Sequence, residues 1–242
     1  HIDRLAAAVA ALHAQAAPAP PGSGYGDPAQ VLRWARENFT VCLMRLDDEA
    51  RRARLQRLAR WTDEEFARRR RWFAARAAAG FIRECHGDLH LANIVVLDDA
   101  PVPFDGIEFN PELRFIDVAS DVAFAFMDLV EHGLSRLAWR FLDQYLQATG
   151  DYGLMTGLRF YAVYRALVRA KVSLIRAHQP DAGAAERRRA ATAFARDLVL
   201  AERLAAEPVP LLVAVGGLSG AGKTTVAGLL LEHLGAVRVR SD

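Results

Sequence analysis

The sequence predicts an α+β fold, in which two long helical stretches enclose a small β island and the opening of a separate α/β unit follows. Three observations carry this expectation. Helical periodicity runs through most of residues 1–80 and returns from about 118 to 206. Between them, residues 81–109 alternate β-branched runs with Gly, Asp and Pro, the pattern of short strands and hairpins. Near the end, the apolar run "LLVAV" meets a glycine-rich loop and then the helical stretch "TVAGLLLEHL".

In chain order, Ile2, Leu5, Val9 and Leu12 fall near helical spacing, which predicts an amphipathic first helix ended by the prolines of residues 18–21. "GSGYG" reads as a loop. Asp27 before Pro28 supplies an N-cap and a first-turn proline for a helix to about Phe39. Thr62 with Glu65 predicts a capping box that opens a helix closed by Gly80. In the second helical stretch the breaks fall at Gly133, at Gly150 and in "HQPDAG". The arginine runs at 68–71 and 187–189 read as solvated helix faces. The prolines of "AAEPVP" set a domain boundary, with residues 1–206 in one unit and 207–242 beginning another. The chain opens on His1 inside a helical pattern and stops at "VRVRSD", so it reads as a piece of a longer protein.

With 242 residues, 52% of them hydrophobic, the chain can bury a substantial core. Its 31 basic and 29 acidic residues leave a net charge of +2, which gives no argument for a nucleic-acid partner. Cys42 and Cys85 are too few for a disulfide framework. No run reaches the ~18 apolar residues of a membrane helix, and Asp3, Arg4 and His13 spoil a signal-peptide core. These features lead to the expectation of a cytoplasmic protein without a membrane partner, its oligomeric state unread.

The densest chemistry lies in "HGDLHLAN", where Asp88 precedes Asn93 by five positions, with Asp105 following a strand and a turn. Two carboxylates and an amide in this order suit phosphoryl transfer. One carboxylate orients a hydroxyl, while the other carboxylate and the amide oxygen hold Mg²⁺ on the phosphates. His86 and His90 have the spacing of a helical zinc pair, but Gly87 and the β texture argue against a helix there. No Gly-x-Ser-x-Gly elbow supports a hydrolase.

"HGDLHLANIVV" followed by "FDGIEF" resembles the catalytic and metal-binding loops of the aminoglycoside phosphotransferase family, relatives of protein kinases that phosphorylate small-molecule hydroxyls. The resemblance implies that residues 1–206 form a protein-kinase-like large lobe. In that lobe Asp88 is the catalytic base, Asn93 and Asp105 ligate Mg²⁺, and His86 is structural. "RFIDVASDVAFAFMDL" resembles the segment in which an aspartate braces the catalytic loop, which makes Asp121 the brace, with plain N-capping by Ser120 or Asp121 as the alternative. Glu108 and Asp117 either face a cationic substrate or solvate a loop. The family's small lobe, with its glycine loop and phosphate-gripping lysine, has no counterpart here, because the chain's lysines are Lys171 in a late helix and Lys223 in the second motif.

That second motif, "GLSGAGKT", fits the Gly-x-x-x-x-Gly-Lys-Ser/Thr pattern between a strand and a helix. Gly217, Ser219, Gly220, Ala221, Gly222, Lys223, Thr224 and Thr225 are the candidate ATP-binding residues, and Thr224 is a candidate Mg²⁺ ligand. The following "AVRVRSD" reads as a second parallel strand. Its likeness to P-loop small-molecule kinases such as gluconate kinases and chloramphenicol phosphotransferases implies a catalytic role for Asp242 at its end. The combination resembles bacterial bifunctional aminoglycoside phosphotransferase and ATP-binding proteins. It implies ATP- and Mg²⁺-dependent phosphorylation of a small-molecule hydroxyl in the intact parent, with this piece itself inactive as one outcome. The alternative is a regulatory or scaffold module that senses or hydrolyses ATP at the P-loop.

Overall fold

A computed structural model describes residues 1–207 and 209–240. The chain is mostly helical with a small amount of β structure, as expected. Helix α1 (Ile2–Gln15) ends just before the proline cluster, but its buried stripe is Leu5, Ala6, Val9, Ala10 and His13, so Leu12 turns outward and His13 inward. Helix α2 (Pro28–Leu43) starts at the expected proline. The Asp27 side chain makes no capping bond, and the helix runs past Phe39 because Cys42, one turn on, continues the buried face.

The expected capping box at Thr62 is overturned. Helix α3 (Glu49–Ala78) is continuous through that position, and Asp48 caps it by accepting the Arg51 N–H at 2.8 Å. Good helix formers flank Thr62 on both sides, and Leu55, Leu58, Thr62, Phe66 and Phe73 make one buried stripe that a break would split. Glu65 lies buried in mid-helix, paired with Arg69 at 2.5 Å and Arg68 at 3.1 Å. Gly80 does close the helix, at φ +79°, with the Phe81 N–H reaching the Arg76 carbonyl at 3.2 Å and its own N–H the Ala77 carbonyl at 3.4 Å.

The β island is two separate antiparallel pairs. Strand β1 (Ile82–Glu84) pairs with β4 (Phe115–Asp117), while β2 (Ile94–Leu97) and β3 (Ala100–Pro103) form a hairpin. The hairpin turns on Asp98 and Asp99, both at positive φ, the backbone of a two-residue primed turn that aspartate tolerates. A single turn of helix, α4 (Pro111–Arg114), leads into β4, so the island extends to Asp117 instead of ending at Phe109.

Helix α5 (Val118–Glu131) is buried along almost its whole length. Helices α6 (Ser135–Thr149), α7 (Met155–Ala177) and α8 (Ala184–Ala205) follow with breaks at the expected turns. α7 packs on α2, α3, α5 and α8, and α1 packs on α6, so α5 lies inside a helical bundle whose rim carries the β island. Arg76 ties these parts together, donating to Asp117 at 2.6 and 2.8 Å and to Asp151 at 2.8 Å twice, all three groups buried. No helix among the described residues is long and apolar enough to cross a membrane.

On α8, Asp197 is buried, and burial first and the charge of Glu131 second push its carboxyl up to about 6 from 3.8. The folded chain therefore holds a proton that the unfolded chain releases earlier, and stability from it, present at low pH, is lost as pH rises through about 6. Asp197→Asn should be more stable than the wild type at pH 7.5, and that advantage should shrink steadily as pH falls from about 6 toward 3.8. Melting temperatures of the pair across this range test it, and a constant difference would contradict the assignment.

The last segment departs from expectation. Among the described residues "LLVAV" joins no ladder, and Leu212 is 95% exposed, because a strand needs a neighbour to take up its backbone N–H and C=O groups and none lies beside it. The expected "AVRVR" strand is likewise unpaired, and Arg238 instead holds Asp143 of α6 through its backbone N–H at 2.7 Å and its guanidinium at 2.7 and 3.1 Å. Helix α9 (Lys223–Leu234) forms as expected and packs on α6, burying Leu231 and pairing Glu232 with Arg140 at 3.0 Å. Asp242 lies outside the described residues.

Candidate active site

The segment between β1 and β2 turns back over α5. Gly87 sits at φ +81°, where a Cβ would lie 2.7 Å from the Leu113 carbonyl oxygen, so this bend admits no side chain. Two carboxylates of α5, seven residues apart and thus two turns along one face, hold the segment at both ends. Asp121 accepts the backbone N–H of His86 and of Gly87, each at 3.0 Å. Asp128 accepts the Leu91 N–H at 2.7 Å.

Asp121 is thus the brace and not a mere cap; the capping side chain of α5 is Asp117, which accepts the Ala119 N–H at 2.8 Å. Burial pushes the Asp121 carboxyl up, but the His13 hydrogen bond, with Arg165 and His86 nearby, holds it below its ordinary value, so it stays ionised. His13 Nε2 lies 3.2 Å from Asp121 and its Nδ1 2.9 Å from the Tyr145 hydroxyl. A carboxylate only accepts, so Nε2 carries the proton. Arg165 completes the support by donating to the Gly87 carbonyl at 2.8 Å and to Ser120.

His86 is structural, as expected. It is buried, its Nε2 donates to the Phe104 carbonyl at 2.8 Å, and its Nδ1 accepts the Asp88 N–H at 3.3 Å, which pins one tautomer. Its ring therefore joins the Asp88 segment to the Asp105 segment. His90 points to Asp88, with Nε2 3.3 Å from Oδ2. The two histidines thus have separate tasks.

Asp88 is 37% exposed at its side chain. Asn93 Nδ2 donates to its carboxylate at 3.0 Å and to its carbonyl at 3.1 Å. Burial works to raise the Asp88 pKa, but the hydrogen bond and charge of His90, then Arg165 and Asn93, bring it below the ordinary value. The Asn93 amide nitrogen is thus committed to Asp88, and its oxygen is the atom left to meet a cation.

Asp105 is exposed, at φ +60°, a left-handed conformation uncommon outside glycine. Its neighbours fix this backbone: the Phe104 N–H donates to the Asn93 carbonyl at 3.0 Å and the Ile107 N–H to the His86 carbonyl at 2.9 Å. Among the described residues the Asp105 carboxylate makes no hydrogen bond or ion pair. Asp105 is therefore carried between the segments that bear Asn93 and His86, beside the Asp88 loop.

Other expected residues divide. Asp117 takes neither of its two expected roles, because it is buried against Arg76 and caps α5. Glu108 is exposed, with only its carbonyl engaged, by Arg114 at 2.9 Å. Lys171 pairs with Glu37 at 3.7 Å, away from the loop. Arg165, Asp128 and His13 were missed as supports of the site.

In the second motif, Gly217, Gly220 and Gly222 hold positive φ and Thr224 and Thr225 lie exposed in the first turn of α9, with Ser219 and Ala221 in the turn before it. Lys223 folds back over the loop, its Nζ donating to the Gly217 and Leu218 carbonyls at 2.8 Å each. The loop thus closes on its own lysine at the positive end of a helix.

No protein-family model matches the chain. Curated proteins described only as uncharacterized, from Mycobacterium bovis and Mycobacterium tuberculosis, are 32% identical over 241 residues, covering 100% of this chain and 47% of their own length. The chain spans about half the length of the curated relatives it matches.

Proposed function

We propose that the longer protein transfers the terminal phosphoryl group of ATP to the hydroxyl of a small molecule, with Asp88 as the residue that receives the hydroxyl. In this reading residues 1–206 are the large lobe of a kinase-like fold, and residues 207–242 open a second, P-loop nucleotide site. The observation that carries it is the Asp88 loop itself: a half-exposed, ionised carboxylate beside the tight bend at Gly87, fixed by Asn93 and flanked by an Asp105 that is unpaired among the described residues and held in a left-handed backbone.

Asp88 orients the acceptor and takes its proton as the oxygen attacks the terminal phosphorus and the bond to the leaving diphosphate breaks. A carboxylate below its ordinary pKa is a weak base, which suits a reaction whose loose transition state asks for alignment more than early deprotonation. Asn93 and Asp105 offer hard oxygen donors, the class that Mg²⁺ prefers, and fit as its ligands. When bound, the ion would neutralise charge on the phosphates. Asp121, Arg165 and His86 keep the loop in register for that chemistry.

At the second site, the glycine loop, Lys223 and Thr224 would receive the phosphates of another nucleotide. Lys223 already covers the carbonyls that line the loop, so it has only to swing from them to an anion. Lys223→Ala should weaken the binding of a fluorescent ATP analogue to this chain at least tenfold, the order expected from losing one charge-assisted phosphate contact of ~1.5–3 kcal/mol. Unchanged affinity would move nucleotide binding to the helical lobe.

A further inference from the structure

We propose that Asp128 is a positioning residue for the Asp88 loop, fixing the loop's far end through the Leu91 N–H. The role rests on the reading of Asp88 as the reacting residue. Leu91 opens the short turn, residues 91–93, that ends on Asn93, and its N–H meets Asp128 Oδ2 at 2.7 Å. A shift at Leu91 would therefore pass directly to Asn93 and, through its amide, to the Asp88 carboxylate.

Asp128 is buried; its Oδ2 takes the Leu91 N–H, while its Oδ1 has no hydrogen-bond partner among the described residues and only charged neighbours. From α7, Arg169 lies 3.6 Å from Asp128 Oδ1 and 3.8 Å from Glu131. From α8, Arg196 contacts Glu131, and Asp197 lies beside it, with Ser173 of α7 at 3.5 Å from Asp197. On α5 itself, His132 Nδ1 bonds the Asp128 carbonyl at 2.8 Å and stands 3.9 Å from its carboxylate. Three carboxylates therefore face two guanidiniums. Burial, and behind it Asp128, pushes Glu131 up, and burial pushes Asp197 up to about 6, while Asp128 Oδ2 is the atom that accepts the Leu91 N–H. The ligand atoms of Asp128, Glu131 and His132 lie within 4.8 Å of one another, but the two guanidiniums already supply the positive charge there, which favours a fixed brace over a cation site.

The test uses the full-length protein. Asp128→Ala should lower kcat at least tenfold with the nucleotide KM within about twofold, since misplacing a reacting group by ~1 Å costs up to ~10²-fold. Asp128→Asn, which retains an oxygen for Leu91, should recover to within about threefold. Amide hydrogen exchange should accelerate across residues 88–93 in the alanine variant but not in the asparagine variant. If Asp128→Ala fails to fold, Leu91→Pro removes the donor together with a side chain that packs on the core, so Leu91→Ala, which keeps the N–H, is its control; the preceding residue suits proline, because His90 is already extended at φ −108° and ψ 166°. Leu91→Pro should reproduce the loss in kcat and the faster exchange relative to that control. Normal exchange and kcat in Asp128→Ala or Leu91→Pro would overturn the proposal, as would an equal loss in the alanine and asparagine variants. A wild type without transfer activity would defeat the functional reading, and the exchange result would still decide whether Asp128 positions the loop.

Discussion

Asp88→Ala in the full-length protein is expected to lower ATP-dependent transfer by roughly 10²–10⁴-fold, the usual scale for a group that handles the acceptor's proton. Nucleotide affinity should barely change, since in the proposed reading Asp88 meets the acceptor and other groups meet the phosphates. The measurement belongs in a Lys223→Ala background, so that turnover at the P-loop cannot mask the loss. His90 would lose its partner and Asn93 would keep only the backbone carbonyl of residue 88, so a modest structural effect is expected as well. A thermal melt would separate it from the chemical one. Transfer equal to that of the Lys223→Ala parent would end the assignment of Asp88.

The largest expected effect on stability is at Asp121. Its carboxylate receives the His86 and Gly87 N–H groups and the His13 ring, and it is fully buried beside Arg165. Asp121→Ala strands those donors and removes a buried negative charge that sits against His13 and near Arg165. Removing one partner of such a network costs about 3–5 kcal/mol. Urea unfolding of this chain and of the variant would read it directly. A loss under ~1 kcal/mol would mean that water or a neighbour replaces the carboxylate, and that the loop is not held as described.

Much of this arrangement was legible in the residues. The helix breaks at Gly133 and Gly150 were visible because glycine takes the left-handed backbone that ends a helix, and both sit at positive φ. Asp88, Asn93 and Asp105 stood out as a group because a phosphoryl-transfer site would use those donor types, the reading proposed above. What could not be read was long-range. Thr62 and Glu65 match a capping box locally, but a capping box is worth less than the buried stripe that carries α3 through it. Asp117 reads as a loop acid until Arg76, 41 residues away, is seen to bury it. The "LLVAV" run has strand composition, yet composition supplies no partner for its backbone.

The missed supports did leave a trace. Arg165 interrupts the apolar face of "FYAVYRALV", Asp128 interrupts "AFAFMDLV", and His13 falls on the buried stripe of α1. A charged or polar residue on an otherwise apolar helix face must find a partner in the core, so each announced a buried contact. Which backbone groups they would meet depended on how the loop folds back over α5.

The proposed chemistry depends most on Asn93 and Asp105 serving one cation beside Asp88. A crystal structure of the full-length protein with Mn²⁺ in place of Mg²⁺ and a non-hydrolysable ATP analogue would show this by anomalous scattering. The expected result is a manganese ion bound by the Asn93 amide oxygen and the Asp105 carboxylate at close to the ~2.0–2.1 Å of a small hard cation, with the terminal phosphate facing Asp88. Manganese at Thr224 alone, with none between Asn93 and Asp105 while the first site holds nucleotide, would contradict it.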